Sequence, residues 1–324
     1  MKFEDVEDDR KMLNAKRAKL KKKAIKIVAS IELPLLVLCI VMNYENFFGK
    51  SGLLNSELII HIIPSLIAIL FMLIIPVIIA IIIVSVLTSK EFLQYKKAYK
   101  AYFVEQALNN TFTDIKYNHE AGLDSAILAS TGMINTGDRY SSNDLTVGKH
   151  NDVGFIQADV HIEEEEEERD SDGNIERDYY TIFRGRFMIF EFPKKFHSRV
   201  LVKSRYAEYL IAATKNGRKM EYIETESVDF NKLFNVYAED GLDAFYVLTP
   251  DFMEKVQKLS QLYDNNISFC FTENRMIVGI NDGGDAFEPP DPRQPLDESA
   301  ESAKIHKETD LIISIVDELK LSRR

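Results

Sequence analysis

Residues 58–89 read LIIHIIPSLIAILFMLIIPVIIAIIIVSVLTS, and His61 is the only titratable side chain among them. A run of about 18 or more apolar residues is stable in the interior of a lipid bilayer. A helix of about 30 residues extends roughly 45 Å, against ~30 Å of hydrocarbon. Tilt, a kink at Pro76 or protruding ends would absorb the excess.

A shorter apolar run, Ile27–Met42, lies just upstream and is interrupted by Glu32 and Pro34. The two runs together predict a transmembrane hairpin, residues 27–89, with helices over about 27–44 and 60–87. Glu32 reads as a residue near the interface, or paired with one of the preceding lysines, on a short span that starts close to Ile31. An ion path through Glu32 and Pro34 is the other reading, but two helices without a polar face do not make a pore.

The flanks set orientation. Lys16, Arg17, Lys19, Lys21, Lys22, Lys23 and Lys26 precede the first run, Lys50 alone occupies the connection, and Lys90, Lys96, Lys97 and Lys100 follow the second. Basic residues stay on the cytoplasmic side. The sequence therefore predicts a multi-pass protein of the cell membrane, with both termini cytoplasmic and residues 1–26 as a basic cytoplasmic N-terminus. Tyr44, Phe47 and Phe48 suit an interfacial anchor. No small-residue cleavage site follows the basic stretch, which argues against a signal peptide.

The net charge of −11 is unevenly spread: residues 1–100 carry +6 and residues 101–324 carry −17. So acidic a domain is a poor match to nucleic acid, which requires a positive surface. Anionic headgroups repel it as well. The two cysteines, Cys39 and Cys270, fall in different environments, so no disulfide framework is predicted.

Residues 90–110 lack Gly and Pro and space Phe92, Tyr95, Tyr99, Tyr102 and Phe103 near helical intervals, which predicts a stalk helix. Beyond it, residues 111–288 alternate strand-like pieces with turn signals. The strands expected are Phe155–Ile162, Tyr179–Phe192, Val200–Ser204, Met220–Thr225, Leu233–Tyr237, Ile267–Thr272 and Met276–Ile280. A helix over Pro250–Asp264 has Thr249 as N-cap and Pro250 at its first position. Residues 289–324 divide into a Pro-rich linker and a helix from about Glu298 to Leu321, with Ile305, Ile312, Ile315, Val316 and Leu319 on one face. The fold class is α+β: a two-helix hairpin, a mostly antiparallel cytoplasmic sheet domain and a C-terminal helix.

Chemical signatures are few. Glu163–Glu168 is an unbroken acidic run, followed by Asp170, Asp172, Asn174, Glu176 and Asp178 at alternate positions. The pattern departs from a calcium loop at its sixth position, Ile175, and its twelfth, Thr181. It reads as a solvated, partly disordered hairpin tip around Ser171-Asp172-Gly173-Asn174. The six histidines form no zinc pattern, no Gly-rich phosphate loop is present and no nucleophile elbow occurs. No catalytic residue, metal or cofactor is assigned.

One ordered set of motifs is familiar: Phe183-Arg184-Gly185-Arg186-Phe187, then residues 224–237 (ETESVDFNKLFNVY), then residues 243–254 (DAFYVLTPDFME), then Ile267–Phe271 and Phe287-Glu288-Pro289. This series resembles a bacterial membrane-protein family known as domain of unknown function 3137, over roughly residues 95–290. The resemblance implies paired hydrophobic helices ahead of the domain and implies no activity. Within these motifs Phe230, Phe234 and Val236 are expected in the core and Ser227 as a helix cap. Glu226, Asn231 and Asp251 are the polar members that could form a partner-binding surface, although capping roles suit them too. The function expected is a membrane-anchored interaction or scaffold module, with a protein partner on the domain or on the C-terminal helix. The alternatives are a tethered hydrolase or transferase, or a subunit of a transport complex.

Overall fold

The computed structural model describes residues 1–42, 56–169, 175–191, 195–207 and 220–319. The chain divides into two compact units, Met1–Tyr102 with Pro289–Leu296, and Phe103–Glu288 with the C-terminal segment from Asp297.

The first unit is helical: α1 (Phe3–Met42), α2 (Ser56–Leu87) and α3 (Ser89–Tyr99). The basic N-terminus is helical. It is the first half of one continuous helix, because residues 3–26 contain neither Gly nor Pro. Its inner face runs antiparallel to α3: Gln94 Nε2 donates to Asp9 Oδ1 at 2.6 Å, and Lys16 Nζ to Glu91 Oε1 at 2.5 Å. Arg17 lies over the Phe92 ring, 5.5 Å from its centroid.

Among the described residues one helical stretch, Ile69–Leu87, is long and apolar enough to cross a membrane. The other span expected, over about 27–44, runs on beyond the described residues. Many apolar side chains of Ile25–Val41 and Ile67–Leu87 point outward rather than into protein. The interfacial aromatics expected at Tyr44, Phe47 and Phe48 lie outside the described residues.

The predicted stalk is interrupted. After α3 comes a π-helical turn, Lys100–Val104, and then α4 (Glu105–Thr111), so the change of unit falls at an irregular helical segment.

The second unit is built on β1 (Thr113–Asn118), β2 (Arg139–His150), β3 (Val153–Arg169), β4 (Ile175–Glu191), β5 (Val200–Ser204), β6 (Glu221–Ile223), β7 (Phe234–Ala238), β8 (Ile267–Thr272) and β9 (Arg275–Ile280). These form a sheet in the order β1-β2-β3-β4-β9-β8-β5-β7-β6, with every pairing among the described strands antiparallel. Its helices are α4, α5 (Ser125–Thr131), α6 (Val228–Leu233), α7 (Gly241–Val247), α8 (Pro250–Leu262) and α9 (Glu298–Glu318). The α+β class with a large antiparallel sheet and a C-terminal helix is thus what the chain forms.

Alternation decides the core. Ala158, Val160 and Ile162 of β3 pack with Phe183, Phe187 and Ile189 of β4 and Ile277 of β9. Phe230, Phe234 and Val236 are buried, and so are Ile305, Ile312, Ile315 and Val316 of α9 and Leu319 at its C-cap. The apolar stripe of α9 is therefore covered. Caps form where polar residues precede helices: Ser227 Oγ accepts from Phe230 N and Thr249 Oγ1 from Phe252 N, both at 3.3 Å.

The acidic run is not a loose hairpin tip. Glu163–Glu168 belongs to β3 and pairs with β4 out to Arg169 opposite Ile175. Cross-strand partners make this tolerable: Tyr180 donates to Glu164, Tyr179 to Glu165, and Arg177 pairs with Glu165 and Glu167. The Ser171–Asn174 turn itself lies outside the described residues.

In the FRGRF motif, Gly185 has φ +153°, and a Cβ there would run into the Ile280 carbonyl. Arg186 beside it is buried and bridges Asp282, at 2.7 Å, and Glu308 of α9. These motif residues hold strands and helix together.

Candidate functional site

Two regions of the second unit combine polar groups with an unusual environment. The first surrounds α6–α8. Asn231 turns inward: its Nδ2 donates to the Thr225 carbonyl and its Oδ1 accepts from Thr225 Oγ1, both at 2.8 Å. Asp251, in the first turn of α8, pairs with Lys255 at 3.0 Å. Glu226 is exposed and lines a cleft of about 210 Å³ with Ile223, Phe245, Leu248 and Met253. Glu226 thus stands on the cleft, Asn231 is bonded to Thr225 and Asp251 is ion-paired on α8. Beside the cleft, α7 turns Leu242, Phe245 and Tyr246 outward, with 78%, 57% and 53% of their surface accessible. Exposed apolar side chains clustered on one short helix are uncommon without a binding role.

The second region is a set of carboxylates that the sequence reading missed. Asp144 stands at a bulge in β2, where the register with β3 shifts between Asn143 and Thr146 and Asp144 takes φ +57°. The bulge turns its side chain inward, and it is 1% exposed. Tyr117 Oη of β1 donates to one Asp144 oxygen, and Asn143 Nδ2 donates to the other at 2.7 Å. Asp285 and Glu288 come from the segment after β9. One carboxylate oxygen from each of Asp144, Asp285 and Glu288 lies within 4.8 Å of the other two. Phe287, between Asp285 and Glu288 in the chain, meets the Tyr117 ring edge-on at 6.1 Å.

Asp159 of β3 forms the floor of this cluster and is 4% exposed. Its Oδ2 accepts from the Ala286 amide at 3.1 Å, and its Oδ1 has no hydrogen-bond donor among the described residues. Burial, then the Asp285 and Asp144 carboxylates, hold its carboxyl well above the usual range, against the opposing Ala286 amide. Burial and then Asp144 also push the Tyr117 hydroxyl up.

The first unit has a different feature, an apolar groove of about 520 Å³ between α1 and α2, lined by Ile25, Val28, Ala29, Val77 and Ile81 with Lys21 and Glu32. Glu32 Oε1 has no hydrogen-bond partner among the described residues.

The FRGRF strand, the capped helices α6 and α8 and the Phe287-Glu288 pair stand in one unit. Residues 181–321 match the family model described as Protein of unknown function (DUF3137). The DUF3137 match bears out the resemblance, with different limits: it begins at β4 rather than near Tyr95, and it continues through α9. Asp144 and Asp159 lie upstream of it. No curated protein matches the sequence. Among solved structures, the crystal structure of the mycobacterial trehalose monomycolate transport factor A, TtfA, is similar at 9% identity and a TM-score of 0.33. That alignment covers 67% of this chain and 93% of the other. A score that low carries no argument about activity.

Proposed function

We propose that this protein is a membrane-anchored interaction module, multi-pass with both termini cytoplasmic, whose α+β unit receives a protein partner. The outward-facing apolar residues of α7, Leu242, Phe245 and Tyr246, carry the reading. They flank the cleft that Glu226 lines, and Asp240 and Asp243 sit on the same helix or its cap. That chemistry suits a partner segment with apolar anchors bordered by basic residues, in keeping with the −17 balance of residues 101–324. The anchor is supported by Ile69–Leu87, with the mostly apolar, outward-facing end of α1 as its second leg.

A photo-crosslinking residue at position 245, activated in intact membranes, tests the reading. A discrete adduct is expected, lost in the L242D/Y246D background and absent when the probe sits at position 298. Identical crosslinking from positions 245 and 298, or no loss in L242D/Y246D, would overturn it.

A further inference from the structure

We infer that Asp144, Asp285 and Glu288 bind a hard divalent cation through carboxylate oxygen, over the buried Asp159. Three ligand oxygens mutually within 4.8 Å fit a shared ion, because two oxygens on opposite sides of a calcium ion at 2.3–2.6 Å span about that distance. The ligand atoms are all oxygen, which selects Ca²⁺, Mg²⁺ or Mn²⁺ over zinc or copper.

The independent observation is Asp159. It is almost wholly enclosed, and its hydrogen-bond donor, the Ala286 amide, adjoins the ligand Asp285 in the chain. The Ala286 amide satisfies Oδ2, while Oδ1 has no donor among the described residues. An enclosed carboxylate oxygen without a donor is costly unless positive charge lies close by. A cation held by Asp144, Asp285 and Glu288 would supply that charge.

Supporting contacts around the ligands follow the usual outer-shell logic. Tyr117 and Asn143 orient Asp144, and Phe287 packs on Tyr117 so that the segment carrying Asp285 and Glu288 is held against β1 and β2. Lys304, a basic residue close to this segment, donates to the Glu288 main-chain carbonyl at 2.7 Å. Asp285 and Glu288 are only half-buried, which leaves an approach for a hydrated ion.

The test uses the full chain, purified in detergent, stripped with a chelator and titrated with CaCl2 and separately MgCl2. Calorimetry and thermal unfolding give the readouts. One ion per chain is expected, with a rise in Tm of several degrees in saturating metal for at least one of the two ions. D285N and E288Q should each weaken binding at least tenfold, and E164Q/E166Q, on the acidic ladder of β3 and β4, should not. E288Q replaces a half-buried ligand, so an unchanged far-UV spectrum separates lost binding from lost folding. Absence of heat and of any Tm shift with both ions would overturn the inference. So would wild-type affinity in D285N and E288Q, or loss of binding in E164Q/E166Q alone.

Discussion

At Arg186 one guanidinium ties β4 to Asp282 beyond β9 and to Glu308 on α9, while the Tyr263 ring lies 5.4 Å below it. Burial works against its charge, but the two carboxylates outweigh that and raise its pKa. R186M leaves both acids without this partner and is expected to cost about 3–5 kcal/mol. Adding E308Q should recover part of the loss, which denaturant melts of the two variants would measure. Glu7 is the opposite kind of case. The hydrogen bonds from Arg10 hold its carboxyl below the usual range, and Arg10 in turn donates to the Pro292 carbonyl at 2.8 Å. A lowered folded pKa means that the stability it contributes is complete above the unfolded value of about 4.5 and fades as pH falls through the lower folded value. Between pH 6 and pH 3 the thermal midpoint of the wild type should therefore drop more than that of E7Q.

Helix ends were the most readable part of the chain, because a cap is a local event. Ser227 and Thr249 each accept the amide three residues on, as their positions before VDFNKL and PDFMEK indicate. T249A should cost about 1 kcal/mol, seen as a lower Tm with an unchanged spectrum at saturation. α9 was equally legible, since its apolar residues recur at helical spacing and all five named ones are buried. Other elements left weaker traces. β2 contains Ser141, Ser142, Asn143 and Asp144 and forms because β1 and β3 pair on either side of it. The acidic part of β3 is a strand through its ladder to β4, against the low strand preference of glutamate. In both, tertiary pairing outweighs local propensity.

At the scale of the whole molecule, the chain consists of a helical unit with outward-facing apolar side chains and an α+β unit with a buried core. Pro289–Leu296, which reads as a linker, belongs to the helical unit: Arg10 and Asn14 both donate to the Pro292 carbonyl. A reporter enzyme fused after Arg324 is expected to score as cytoplasmic in a topology assay. Activity on the external side would reverse the orientation inferred from the flanking lysines.

The sequence by itself determined the apolar span, the charge imbalance, the capped helices and the mixed α+β class, because each depends on residues close together in the chain. Only the tertiary structure brought Asp144, Asp159, Asp285 and Glu288 into one corner. They come from two strands and a segment more than a hundred residues later, with no common spacing for the sequence to reveal. Pairing of β2 with β3, a bulge at Asp144 and packing of Phe287 on Tyr117 make them neighbours. Convergence of that kind is a property of strand order and register, which are set by the burial of the whole sheet.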